Sequence, residues 1–421
     1  MKAVILIAGK GERLLPLTAN RPKHLLPIAG KPLLEWLLIG VKEAGIQEVL
    51  LITNYMEKMI RERIGDGSSL GLKISYVKQE EMSGTANAFY SGEGFTAGED
   101  FLGIYGDLYL APSVLSKVVT GHLCGETTIT GLKRDPYLYG ALKVAGDQVL
   151  GIVEKPKPGS APSDITNAGI YIFPPQVFKY IQKTALSSRG EYEITDTINQ
   201  MIIAGIKTRV QMLEFNEWLD VGHPWTLLEA NERAMKNLKG SIHGKIEEGV
   251  YLQGEVYVAS SAVVKSGVYI EGPVYIGEGC EVGPNSYIRP GTVLTQNNKI
   301  GAGSEVKNSI LLNGAHIPHL SYVGDSIIGE KTNFGAGTIT ANLRFDNEPV
   351  KMTSKAQRVD TGRRKFGVVV GDNVQTGINV SIHPGVRIGN NAWIEPGSVV
   401  TMDVSDGVIF LKNGSEKPKI Y

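Results

Sequence analysis

The feature that most narrows the fold of this 421-residue chain is a six-residue rhythm in its second half. Across Val274-Tyr275-Ile276-Gly277 and the residues that follow, Ile276, Val282 and Ile288 stand six apart. Ile300-Gly301, Ile328-Gly329, Val370-Gly371 and Ile388-Gly389 keep the same aliphatic-then-small step. Such a period gives one short flat strand and one tight turn per repeat, the aliphatic side chain pointing into a narrow core, and three repeats close one triangular coil. A β-sandwich with glycine-rich turns has longer strands and does not hold a strict period of six. The expectation is therefore a left-handed parallel β-helix of hexapeptide repeats. Asn342 to Lys365 breaks the period with charged and polar residues and is read as an insertion leaving the coil, a place where repeat proteins often line a binding face.

The first half has a different grammar. Short apolar runs such as Val4-Ile5-Leu6-Ile7 and Val49-Leu50-Leu51-Ile52 alternate with helical patterns such as Leu33 to Ala44. This alternation predicts an α/β, Rossmann-like domain with a mostly parallel sheet and helices on both faces, its ligands at the carboxyl ends of strands. The expected division is 1–225 for this domain, 226–245 for a connecting helix and 246–421 for the coil, the helical pattern opening at His223-Pro224 and closing at Lys239-Gly240. Lys plus Arg and Asp plus Glu both total 43, which gives no reason to expect a nucleic-acid or anionic-membrane partner. Cys124 and Cys280 lie far apart and form neither a zinc motif nor a disulfide framework. The apolar start runs straight into Gly9-Lys10-Gly11 without a cleavage site, and no apolar run reaches the roughly 20 residues of a membrane span, so a cytoplasmic protein is expected.

Chemistry first shows in Gly9-Lys10-Gly11-Glu12-Arg13, which follows the first strand and continues to Arg21-Pro22-Lys23-His24-Leu25-Leu26-Pro27. Gly9 and Gly11 let the backbone pass close to phosphate, and Arg13 and Lys23 can neutralise charge on a transferring phosphorus. The whole string resembles the signature of the sugar-1-phosphate nucleotidylyltransferase family, over roughly the first 225 residues. The resemblance implies a sugar-1-phosphate oxygen attacking the α-phosphorus of a nucleoside triphosphate, with Arg13 and Lys23 as the catalytic cations. It further implies that Gln79, Gly84 and Thr85 read a pyrimidine, that Asp107 and Asp220 hold Mg²⁺, and that Glu154, Lys155 and Asn167 bind the sugar phosphate.

In the coil, the stretch from Lys307 through Asn342 resembles the acetyltransferase half of the bifunctional bacterial enzymes that acetylate glucosamine-1-phosphate and then uridylylate the product. An amine attacking a thioester must lose a proton, and histidine suits that task near neutral pH, which makes His319 the candidate general base. The resemblance implies that Arg289 and Lys307 hold the sugar phosphate, that Tyr322, Asn333 and Asn342 orient the amino sugar, and that Gly335 and Ala336 make a floor for the pantetheine arm of acetyl-CoA. It also implies a homotrimer with acyl sites between subunits. The chain departs from the bacterial pattern after Asn342, in Leu343-Arg344-Phe345-Asp346 and Arg363-Arg364-Lys365, which leaves galactosamine-1-phosphate open as a second acceptor and UTP unranked against dTTP. Two rivals stand beside this reading. One is a glucose-1-phosphate thymidylyl- or uridylyltransferase whose coil serves assembly or regulation; the other is a non-catalytic scaffold subunit.

Overall fold

A computed structural model of the protein describes residues 1–419. By contact the chain forms two compact units: Met1–Lys10 with Leu33–Asp220, and Gly11–Pro32 with Val221 onward. The signature segment thus belongs to the same unit as the coil, an arrangement that the linear domain reading did not contain. No helix among the described residues is long and apolar enough to cross a membrane.

The first unit is built on a nine-stranded sheet. Its strands are β1 (Lys2–Leu6), β2 (Glu48–Thr53), β3 (Lys73–Lys78), β4 (Phe101–Tyr105), β5 (Thr127–Lys133), β6 (Gly140–Ala145), β7 (Gln148–Glu154), β8 (Ile165–Phe173) and β9 (Thr208–Leu213), in the order β3-β2-β1-β4-β8-β5-β9-β7-β6. The apolar run Val49 to Ile52 is buried throughout, as a central parallel strand requires. Between β1 and β2, helix α1 (Leu33–Glu43) buries Leu33, Leu34, Leu37, Leu38 and Val41, one face at helical spacing. β1 to β4 pair in parallel, but β8 runs antiparallel to β4 and β5, so the sheet is mixed rather than mostly parallel. Part of the reason is local: only Gly146 and Asp147 separate β6 from β7, far too few residues for a crossover, and Gly146 takes the left-handed turn at φ 63° that makes them a hairpin. An aromatic core holds this unit, with Phe101 stacked on Phe178 at 5.3 Å and Phe89 edge-on to Phe173 at 5.6 Å.

In the second unit, α2 (Pro224–Met235) has Pro224 at its first position, where the missing N–H costs nothing. It is shorter than the expected connecting helix, because the first coil strand already begins at Ser241. The coil is a three-sided parallel β-helix. Its first face is one eight-stranded sheet, its second runs through Val264, Val282, Ile300 and Ile317, and its third through Ile270, Ile288, Val306, Val323 and Thr340. The hexapeptide aliphatics Ile276, Val282, Ile288 and Ile300 are fully buried in one continuous core, joined by Cys280, whose thiol burial pushes up to about 11. Ile328 pairs directly with Val370 after one coil through Asn333 and Thr340, and the remaining chain between Asn342 and Phe366 leaves the coil; it folds into a hairpin of Lys351–Ser354 and Gln357–Asp360 and returns where Phe366 N donates to the Asn342 carbonyl at 3.0 Å.

Candidate functional site

In the first unit, the carboxyl ends of β1, β3 and β4 open onto a cavity of 280 Å³ whose walls include Ala8, Gly9, Gln79, Met82, Gly84, Thr85, Tyr105, Asp107 and Glu191. Five of these are among the residues singled out in the sequence. Gln79 is buried, and its side-chain amide donates to the Gly84 carbonyl at 3.4 Å. Gly84 has φ 128°, and a Cβ there would stand 2.4 Å from the Tyr192 carbonyl oxygen, so only glycine allows the backbone to pass this wall. Asp107 follows β4, and the short pair Leu108–Leu110 and Trp218–Asp220 sets Asp220 opposite Leu108, next to Asp107. Both carboxylates are half-buried. Among the described residues no three His, Cys, Asp or Glu side chains gather as a metal cage. Two hard carboxylates on adjacent strand ends fit an ion that takes its remaining oxygens from phosphates and water, as Mg²⁺ does.

Beyond the cavity wall lies a polar chain. Thr85 and Tyr105 interact through their hydroxyls, Tyr171 donates to the Tyr105 oxygen at 3.2 Å, and the Asn167 amide donates to the Tyr171 oxygen at 2.5 Å. Burial above all raises both phenols well above the usual tyrosine range, so these hydroxyls stay protonated. Glu154 sits beside Asn167 across Gly140, and burial raises its carboxyl above the usual range, opposed by Arg189 at 3.7 Å. Arg189 also pairs with Glu193. Lys155 is exposed and left-handed at φ 44°. The sequence reading missed Tyr105, Tyr171, Arg189 and Glu191, since lone tyrosines and a surface arginine carry no motif.

In the second unit, the signature segment is pinned from both sides. Thr18 Oγ1 donates to the Gly11 carbonyl at 2.9 Å, and the Lys23 stem packs on Gly11, leaving 3.1 Å to a hypothetical Cβ. Arg21 is 6 % exposed and bridges to Asp372 at 2.8 Å and Glu330 at 3.2 Å, while Asn20 donates to the same Asp372 carboxylate at 2.9 Å. The exposed Arg13 approaches His223, Nη1 to Nε2, at 3.4 Å. None of Arg21, Asp372 and His223 was given a role in the sequence reading.

On the third face of the coil, Arg289 precedes Lys307 in one column, and Tyr322 occupies the next coil. Arg289 donates to Glu305 at 2.8 Å and lies over the Tyr287 ring. Lys307 is held by both oxygens of Asp325 at 3.1 and 3.0 Å, and Asn342 donates to Asp325 and, at 3.2 Å, to the Tyr322 hydroxyl. The structure thus brings Lys307 and Asn342 together on a buried aspartate that had no assigned role, with Tyr322 joined through Asn342 and Arg289 one coil back on Glu305. His319 is exposed at the corner preceding this face, and its carbonyl accepts from Gly337 N at 3.2 Å, which stacks it beside the Gly335-Ala336 turn of the next coil. Asn333 stands apart, on the second face, bridged to His316 and Gln375.

Comparisons with known proteins find relatives of both halves of the chain. The family model described as "Nucleotidyl transferase" matches residues 2–237, "GMPPB C-terminal domain" matches 270–377, and "Bacterial transferase hexapeptide (six repeats)" matches 367–401. A bifunctional protein GlmU of Methanocaldococcus jannaschii is 42% identical, covering 98% of each chain. A bifunctional sugar-1-phosphate nucleotidylyltransferase/acetyltransferase of Sulfurisphaera tokodaii is 44% identical over 97% of this chain and 100% of its own. A solved UDP-glucose pyrophosphorylase complexed with UDP-glucose is similar in fold, with a TM-score of 0.50 and 24% identity over 56% of this chain and 98% of that one. With relatives of both activities matched along nearly its whole length, the chain belongs to the bifunctional sugar-1-phosphate nucleotidylyltransferase/acetyltransferase family.

Proposed function

We propose that the coil acetylates the amine of glucosamine-1-phosphate from acetyl-CoA, and that the N-terminal head then joins the N-acetylglucosamine-1-phosphate to UMP from UTP, with dTTP as the other pyrimidine candidate, giving UDP-N-acetylglucosamine and pyrophosphate. The observation that carries this reading is the grouping of Lys307, Tyr322 and Asn342 about Asp325, one coil corner from His319. In acetyl transfer, the amine nitrogen attacks the thioester carbonyl, His319 takes the amine proton, and the thiolate of CoA leaves and is protonated. Arg289 and Lys307 carry the sugar phosphate, Tyr322 and Asn342 orient the ring, and Gly335 and Ala336 leave space for the pantetheine arm; Asn333, on the neighbouring face, is set apart from this group within one chain.

In nucleotidyl transfer, the sugar-phosphate oxygen forms a bond to the α-phosphorus as the bond to pyrophosphate breaks. Gly9, Gly11, Gln79, Gly84 and Thr85 bind the nucleotide, with the Gln79 amide and the backbone at Gly84 facing the base. Arg13 and Lys23 balance charge on the phosphates, and Glu154, Lys155 and Asn167 hold the sugar. A magnesium ion bound by Asp107 and Asp220 would supply further charge neutralisation at the phosphate oxygens. The enzyme would work as a cytoplasmic homotrimer.

A matrix of initial rates tests the assignment. Acetyl-CoA is mixed with glucosamine-1-phosphate or galactosamine-1-phosphate while a thiol reagent follows released CoA, and UTP or dTTP is mixed with each sugar phosphate while pyrophosphate is followed. The reading expects thiol release only with an amino-sugar phosphate and the fastest pyrophosphate release with UTP and N-acetylglucosamine-1-phosphate. Pyrophosphate release without any acceptor-dependent thiol release would leave the coil as a structural part.

A further inference from the structure

His223 stands at the entrance of α2, half-buried, with its ring flat on Trp225 at 4.2 Å and 16°. One ring nitrogen, Nε2, faces Arg13 Nη1, and the other, Nδ1, lies 3.4 Å from Ser354 Oγ. A guanidinium has donors only, so Nε2 must accept from Arg13, and a neutral ring then carries its one proton on Nδ1, directed at the Ser354 oxygen. Burial first, and the Arg13 charge second, push this imidazole down to about 4, which keeps the ring neutral near physiological pH and able to play both parts.

Ser354 comes from the hairpin that leaves the coil. The hairpin's two tip residues, Lys355 and Ala356, have φ of 46° and 62°, a conformation normally given to Asn-Gly, and neither is glycine or asparagine. The tip therefore holds a tight turn at a cost in backbone strain. The rest of the hairpin is firmly seated. Val350 and Met352 are buried, Arg358 donates to the Gly385 carbonyl at 3.1 Å, and Arg363 at its base donates to Glu232 of α2 at 3.1 Å. At the tip, Lys355 Nζ is 3.8 Å from Glu12, the residue before Arg13.

We propose that His223 and Ser354 are positioning residues for nucleotidyl transfer: the hairpin inserted in the acetyltransferase coil fixes the His223 ring, and the ring fixes the direction of the Arg13 guanidinium. The inference rests on the reading of Arg13 as the charge stabiliser of that reaction. Because charge on the phosphates grows towards the transition state, a loosened guanidinium lowers kcat and leaves KM nearly untouched.

The test uses the full-length enzyme with four substitutions, Arg13→Ala, His223→Leu, His223→Gln and Ser354→Ala, each assayed for pyrophosphate release with UTP and for acetyl transfer. Loss of one hydrogen bond to a charged group leads us to expect a kcat reduced roughly tenfold in His223→Leu and about threefold in Ser354→Ala, with nucleotide KM held within about twofold. His223→Gln, which places an amide oxygen where Nε2 stood, should recover most of the rate. Acetyl transfer at the native rate in all four reports that the coil is folded. If Arg13→Ala is impaired while His223→Leu and Ser354→Ala turn over at the native rate, or if glutamine does no better than leucine, the positioning role is overturned. If Arg13→Ala itself keeps the native rate, it is the assignment of Arg13 that fails.

Discussion

At the scale of single residues, a buried carboxylate and a half-buried one do opposite things to stability. Asp325 is 2 % exposed and satisfies Lys307, Asn308 and Asn342 at once. Removing one partner of a buried pair strands the other charge, so Asp325→Ala should destabilise the protein by about 3 kcal/mol and raise KM for the amino-sugar phosphate. Denaturant titration of the two proteins measures the first effect; coincident unfolding curves would show that Lys307 finds water instead. Glu154 has the reverse sign. Its carboxyl is raised above the ordinary 4.5 by burial, with Arg189 opposing. A carboxyl that holds its proton more tightly in the folded state contributes stability that is complete below its unfolded pKa and is lost as pH rises through the higher folded value. Ionised Glu154 therefore works against folding at pH 7. Glu154→Gln should raise the melting temperature at pH 7, raise it less at pH 4, and slow NDP-sugar synthesis. A variant that melts lower at pH 7 would mean that the Arg189 contact outweighs burial.

At the scale of elements, the turn before Thr85 shows how a backbone conformation makes a wall. Tyr192 N donates to the Ser83 carbonyl at 2.8 Å and Ala86 N to the Tyr192 carbonyl at 2.9 Å, with Gly84 between them against the Tyr192 backbone. Gly84→Ala must push the Tyr192 backbone away and unseat Gln79, so nucleotide KM should rise about tenfold, equivalent to roughly 1.4 kcal/mol of binding. Acetyl transfer is the internal control; a native KM would place base reading elsewhere. The sequence marked Gly84-Thr85 only through its family resemblance and said nothing of the Tyr192 backbone that closes on it. The coil was legible because Ile276, Val282 and Ile288 repeat a local rule that needs no distant partner. What escaped was long-range. Arg21 meets Asp372 across 351 positions, and His223 meets Ser354 across 131, and neither pairing leaves a trace in its neighbours. The mixed sheet escaped because strand and helix patterns do not say which way a strand runs; only the two-residue link between β6 and β7 does. The connecting helix was overrun at its end because Lys239-Gly240 closes a helix and opens a coil strand equally well.

At the scale of the molecule, one chain carries a nucleotidylyltransferase half and an acetyltransferase half, and in the proposed function the product of acetylation is the acceptor of nucleotidyl transfer. His319 is exposed at a coil corner, and the proposed homotrimer sets acyl sites between subunits. Light scattering should give the mass of three chains, and a fully active single chain would refute this. The central claim is that the two heads are chemically separate, each with its own indispensable side chain. The most direct measurement is a crossed assay of Arg13→Ala and His319→Ala, both reactions followed in the same preparations. The account predicts that Arg13→Ala loses about 10²-fold or more in pyrophosphate release and keeps acetylation, and that His319→Ala loses 10²–10⁴-fold in acetylation and keeps pyrophosphate release. Loss of both activities in either variant, or of neither in both, would contradict it.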